Sequence, residues 1–171
     1  MKTEFIPIDI NKWNRREIFY YFSKIAPTTY SITSNLDLSR MMKTIKENNL
    51  KFFPSFLLLT TTILNEYDKI RVAVKDDKLG LYTTLTPFYP TFHIQNHSIS
   101  MVWTEYSSSL LKFHNSYEEN KRLYGDNKGF MAIPKTIPPE NACNISVLPW
   151  FNFTSFSPTF FLSFPLLFSF Y

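Results

Sequence analysis

Asn144-Ile145-Ser146-Val147-Leu148-Pro149-Trp150-Phe151-Asn152-Phe153-Thr154-Ser155-Phe156 is the stretch on which the reading of this chain turns. It opens as an alternating run. Ile145, Val147 and, further on, Phe151 fall on one side, with Ser146 and Leu148 on the other. That period of two predicts a strand carrying one small hydroxyl inside an otherwise apolar segment. Two roles are open to such a serine. It is a satisfied packing residue, or it is aimed into a pocket where it can hydrogen-bond charge that develops during a reaction.

Working back from that strand, Pro134, Pro138 and Pro139 mark a loop. Before it, Ser107 opens the longest amphipathic helix and Gly125 closes it, with Leu110, Phe113, Tyr117 and Tyr124 on one face. Strands are predicted near Pro90 to Ile94 and Ser98 to Trp103, and a hairpin joins Arg71–Lys75 to Leu79–Tyr82 around Asp76-Asp77-Lys78. Pro54 suits the first turn of a helix made apolar over most of its girth by Phe56, Leu57, Leu58, Leu59, Ile63 and Leu64. Asp37 caps a helix from about Ser39 to Asn48, with Met41, Met42 and Ile45 inward. Thr28 to Leu36 reads as a strand on its β-branched and aromatic content. The first helix, capped by Asn11 or Asn14, runs to about Ile25 and buries Ile18, Phe22 and Ile25; Phe5 to Asp9 precedes it as a short strand. Strands and helices mix without strict βαβ alternation, which favours a mixed sheet covered by helices.

The chain has 171 residues, 44% of them hydrophobic and 19% charged, the composition of one globular domain. Eighteen Phe and ten Tyr call for a ring-lined core, an oily pocket or a subunit interface. Three Gly, with no GxGxxG and no GxxxxGK[ST], argue against a glycine-rich phosphate loop. A net charge of +4 without an arginine-rich tract or dense basic helix argues against nucleic-acid binding. One cysteine, Cys143, allows no internal disulfide and reads as buried packing. The opening residues lack the apolar core of a signal peptide, so the expected compartment is the cytoplasm.

The motif N-I-S-x-x-P-W followed by F-x-S-F resembles the chloramphenicol acetyltransferases. So do Trp13-Asn14-Arg15-Arg16-Glu17-Ile18-Phe19, Thr29-Tyr30-Ser31, Lys51-Phe52-Phe53-Pro54, Arg71-Val72-Ala73-Val74-Lys75-Asp76 and Thr91-Phe92-His93, in the family's order and near its spacing. The resemblance covers roughly residues 5 to 156. It implies an α/β fold, a two-layer α/β sandwich with a mixed sheet, assembled as a homotrimer with active sites at subunit interfaces. It implies acetyl transfer from acetyl-CoA to a chloramphenicol hydroxyl, with no metal. In the family a histidine within a C-terminal H-H-x-x-x-D-G motif is the general base. These 171 residues contain no such motif. A symmetric trimer does not supply it, because every copy has the same sequence.

By the same resemblance, Ser146 matches the serine that hydrogen-bonds the tetrahedral oxyanion. Arg15 matches an arginine that pairs structurally with the aspartate of the absent motif. Phe22, Ala26, Tyr30, Ile99 and Phe156 fall where the family lines its antibiotic pocket; on spacing alone all five read as core. Ala26 would widen that pocket and Tyr30 would add a hydroxyl. His93 matches a family histidine that is not the base, while His97 falls in a polar loop and His114 on the amphipathic helix.

After Phe156 the chain has neither period nor charge, and no charged residue follows Glu140. A membrane segment is disfavoured by Pro158, Pro165 and the interspersed Ser and Thr. A buried end of the fold fits the Phe/Leu/Ser/Pro composition poorly. A reading-frame artefact explains it best. The expected organisation is therefore an acetyltransferase domain over 1–156, incomplete at its C-terminal side, and an aberrant tail over 157–171. Two function classes follow: a chloramphenicol O-acetyltransferase homologue inactive for want of its base, or a non-catalytic ligand-binding or interaction protein of the same fold.

Overall fold

The structure, a computed structural model, describes residues 3–29, 31–127, 129–133, 137–150 and 154 in full, and the backbone of 167–170. Among these the order is β1 (Phe5–Pro7), α1 (Arg16–Tyr20), α2 (Ser39–Glu47), α3 (Phe52–Asn65), β2 (Val72–Lys75), β3 (Lys78–Tyr82), β4 (Thr86–His93), β5 (Ser98–Trp103), α4 (Leu110–Tyr124), β6 (Ala142–Val147) and β7 (Leu167–Phe170).

Helix α3 is central because little of its surface can face water. Phe56, Leu57, Leu58 and Leu64 are buried in the core, and so are Thr60 and Thr61. Threonines weaken a helix, and here packing offsets that; Thr61 Oγ1 also donates to Leu57 O at 2.7 Å, satisfying its hydroxyl locally. Leu59 and Ile63 are the exceptions and lie exposed. Helix α4 lies beside α3, contributing Phe113, while Tyr117 and Tyr124 pack against the core. Ser109 caps α4 through its side chain, which accepts from Lys112 N at 3.4 Å.

The strands form two sheets rather than one. A three-stranded antiparallel sheet has the order β1-β3-β2, and a four-stranded mixed sheet the order β5-β4-β6-β7. In the second, β4 runs antiparallel to β5 and parallel to β6, and β6 runs parallel to β7. The β2–β3 turn is tight: Lys75 pairs with Lys78, and Asp76 and Asp77 take φ of 49° and 59°. Two left-handed residues in a two-residue hairpin match the right-handed twist of the strands. Gly80 in β3 makes room for the ring of Phe5, which a Cβ there would have to displace.

One face of the four-stranded sheet packs on α3 and α4, with Tyr89, Val102, Cys143 and Ile145 in the shared core. This is the expected α/β sandwich with a mixed sheet.

The amino-terminal third departs from expectation. The first helix is α-helical only to Tyr20, and Tyr21–Ile25 continue as a π-helical turn closed by Ala26 N to Tyr21 O at 2.8 Å. No side chain caps it; the cap position is Arg15. Ile18, Phe22 and Ile25 form the predicted stripe, yet they are 62%, 50% and 61% exposed. The period is right, but no described part of the chain covers that stripe. The strand expected over Thr28 to Leu36 is absent from its described residues, 28–29 and 31–36, and Ile32 is 82% exposed. β-Branched content favours a pleated, half-buried surface and cannot create a pairing neighbour. Asp37 does act at the start of α2, where its Oδ1 accepts from Ser39 N at 2.9 Å. In α2 Ile45 is buried, whereas Met42 is exposed. Of the tail, only the backbone of β7 is among the described residues.

Candidate functional site

Strand β6 places Ser146 by its pleat. Cys143 and Ile145 are fully buried toward the helices, so Asn144 and Ser146 point to the opposite face of the sheet. Register builds that face further. Asn144 is level with Phe88, and Phe88, Pro90 and Phe92 pair with Trp103, Met101 and Ile99 on β5. The Phe92 and Trp150 rings lie 5.5 Å apart. Ser146 is half-buried, while Phe92, Ile99 and Trp150 are 46%, 47% and 57% exposed. Among the described residues, the result is a broad, partly exposed apolar face with a serine hydroxyl at the end of an interior parallel strand.

The other sequence-chosen residues divide. Ile99 lies on this face, half-exposed rather than in the core. Phe22 sits on the π-helical turn with its ring edge-on to Tyr21 at 5.2 Å, also exposed rather than core. Ala26 ends that turn, partly buried. Arg15 is exposed at the start of α1, and among the described residues it forms no ion pair. Tyr30 and Phe156 lie outside the described residues.

The histidines are held elsewhere. His93, buried, has Nε2 2.7 Å from Ser100 Oγ. Ser100 Oγ in turn lies 2.7 and 2.6 Å from the carbonyls of Asn127 and Gly129. The single hydroxyl proton goes to a carbonyl, which leaves His93 as the donor to Ser100. His114 makes the same bond to Ser55, at 3.1 Å, while Ser55 Oγ donates to Lys51 O at 2.7 Å. Burial holds His114 below its ordinary range, against the raising effect of Glu118. His97 occupies an exposed turn with φ 52°. Burial pushes the Cys143 thiol up to about 12, so it is inert packing. No helix among the described residues is long and apolar enough to cross a membrane.

In the sequence Arg71 stands at the start of a predicted strand and of a family-like motif, with no role of its own. Its Nη1 donates to the carbonyls of Tyr82 and Thr83 at 2.8 and 2.7 Å, and Nη2 pairs with Asp68. It thus fixes the segment where the chain leaves the three-stranded sheet for the four-stranded one. An arginine just before a two-aspartate hairpin was the available signal, but its carbonyl partners are visible only in three dimensions.

The sequence model of the family described as chloramphenicol acetyltransferase matches residues 3–161. A chloramphenicol acetyltransferase of Clostridium perfringens is 36% identical over 151 residues, which is 88% of this chain and 68% of that protein. One of Escherichia coli is 34% identical over 154 residues, 90% of this chain and 69% of that protein. One of Campylobacter coli is 33% identical over 155 residues, covering 90% and 72%. A solved chloramphenicol acetyltransferase superposes with a TM-score of 0.79 at 22% identity, over 95% of this chain and 80% of its own, and so shares the fold. The chain belongs to the chloramphenicol acetyltransferase family.

Proposed function

We propose that the Ser146 face of the four-stranded sheet is the acceptor side of an acetyl-transfer site that takes chloramphenicol and acetyl-CoA. The chemistry is attack of a chloramphenicol hydroxyl oxygen on the thioester carbonyl. A base accepts the hydroxyl proton, the tetrahedral oxyanion forms, and the coenzyme A thiolate leaves and is protonated. Ser146 donates to the oxyanion, a role whose loss typically lowers rate by about 10²–10³. Phe22, Ala26, Tyr30, Ile99 and Phe156 line the acceptor pocket, Tyr30 adding a hydroxyl, and Arg15 has the structural role of pairing with the aspartate of the motif that these residues lack. The family's homotrimeric assembly is supported by the unpaired stripe of Ile18, Phe22 and Ile25 and by the open sheet face, apolar surfaces that a neighbouring subunit would cover. The proposed compartment is the cytoplasm. The proposed domain spans 1–156, and within 157–171 the backbone of β7 adds a parallel edge strand to its sheet.

These 171 residues do not carry the general base. His93 and His114 are committed to serines, and His97 sits at an exposed turn. General-base catalysis is worth roughly 10²–10⁴, so this chain by itself binds its substrates without transferring acetyl groups at enzymatic rates. That brings it close to the second reading, a ligand-binding or interaction protein of the same fold, which the committed histidines favour.

The observation that carries the proposal is the half-buried Ser146 on an open aromatic face. Equilibrium dialysis with chloramphenicol tests it. Saturable binding weakened at least tenfold by Ile99→Arg is expected. No saturable binding, or binding indifferent to Ile99→Arg, overturns the placement.

A further inference from the structure

A cavity of about 260 Å³ opens between α3, α4 and β4, lined mainly by residues of the helix-packed side of the sheet and reached by Pro90 and Phe92 of β4 as well. Three of its walls are rings in mutual contact. Phe53 lies edge-on to Tyr89 at 5.5 Å and to Tyr117 at 6.0 Å, and the Tyr89 and Tyr117 rings are 5.7 Å apart. Tyr124, two turns along α4 from Tyr117, extends the same wall. The wall is braced from behind. Tyr89 Oη and Thr104 Oγ1 are 2.7 Å apart, and Asn120 Nδ2 donates to Thr104 Oγ1 and to Trp103 O at 3.0 and 2.9 Å. Such a network holds the cavity in shape before anything enters it.

Among the described residues, Lys121 is the one charged side chain that lines the cavity, with the Glu118 carboxylate acting on Tyr117 from outside the lining. Among the described residues, the Tyr117 and Tyr124 hydroxyls have no hydrogen-bond partner and Lys121 has no ion pair. Its neighbour Arg122, by contrast, is bonded to both oxygens of Glu119. Burial pushes the Tyr117 phenol up to about 12, so at neutral pH it is a donor. Rings of this kind often bind cations, but a free ammonium at the rim opposes one. The volume lies below that of pockets for drug-sized ligands, which leaves a mono- or bicyclic ring.

We propose that this cavity, whose ring wall lies on the helix side of the sheet, is a second binding site for a small planar aromatic carboxylate. The ring stacks against Phe53, Tyr89 and Tyr117, and the carboxylate meets the Lys121 ammonium and the free phenols.

The probe is 2-naphthoate, with neutral 2-naphthamide as its uncharged partner, followed by saturation-transfer NMR and calorimetry on the full chain. Saturable naphthoate binding is expected, about tenfold tighter than the amide, as a charge-assisted hydrogen bond implies. Excess chloramphenicol does not displace it. Lys121→Glu, at an exposed position, removes the preference for the acid and leaves amide binding intact. Tyr117→Phe keeps the ring and weakens naphthoate severalfold. No saturable binding at millimolar probe, displacement by chloramphenicol, or an unchanged acid preference in Lys121→Glu would each overturn the proposal.

Discussion

Replacing Arg71 with methionine tests how the two sheets are joined. The side chain is 13% exposed, so its stem packs and its charge is largely withdrawn from water. Its partners are unequal. Asp68 is 75% exposed, and an ion pair to so exposed a carboxylate is worth little. The carbonyls of Tyr82 and Thr83 are the substantial partners, at 2.8 and 2.7 Å. Hydrogen bonds to a charged group are worth roughly 1.5–3 kcal/mol each. Both come from one nitrogen and are not fully additive, so the pair sums to about 3 kcal/mol. Methionine retains most of the stem, leaving the lost bonds and stranded carbonyls as the main effect. For a chain of this size that is a drop in Tm of about 6–12 °C. Urea denaturation followed by circular dichroism reads it as a fall in midpoint at constant slope. Arg71→Lys should recover less than half, because a point charge on a single stem does not serve two carbonyls and a carboxylate as a planar fork does. A loss below about 1 kcal/mol, or Asp68→Ala costing as much as Arg71→Met, would refute the reasoning.

Two further outcomes follow from local chemistry. His114 is held below its ordinary 6.5 mainly by burial, so the unfolded chain takes up this proton first as pH falls. Its contribution is full above that value and is lost as pH falls toward the folded-state value; His114→Gln should flatten that part of the stability–pH profile, and an unchanged slope would contradict the assignment. Asp77→Gly should raise stability by about 0.5–1 kcal/mol, since φ of 59° costs an aspartate more than a glycine; a lower thermal midpoint would show the turn is held otherwise.

What could be read in advance was what local periodicity determines. The apolar girth of Phe56 to Leu64 specifies a buried helix whatever packs on it. Asp76-Asp77 between alternating runs specifies a hairpin. The alternation Ile145-Ser146-Val147 turns the serine away from the helices once Ile145 is known to be core. Reading failed where a partner had to be assumed. Ile18, Phe22 and Ile25 have the spacing of a buried face, yet the described chain provides nothing to bury them. Thr28 to Leu36 has strand composition, yet among the described residues it pairs with no strand. Two sheets in place of one follow from the break at Thr83–Leu85, which is pinned by Arg71 and by Leu85 N donating to Asn65 Oδ1 at 2.7 Å; neither contact has a signature in sequence. Of the candidate site, the face of Ser146 was legible. The exposure of Ile99 and Phe22 was not, because spacing reports a shared face and not what covers it.

Steady-state release of coenzyme A tests the central claim most directly. The purified 171-residue chain, given acetyl-CoA and rising chloramphenicol with a thiol reagent present, should release no thiol above background hydrolysis, even where chloramphenicol binding saturates. Chloramphenicol-dependent release at an ordinary turnover number, on the order of 1–10³ s⁻¹, would mean that these residues contain a working base and would contradict the account.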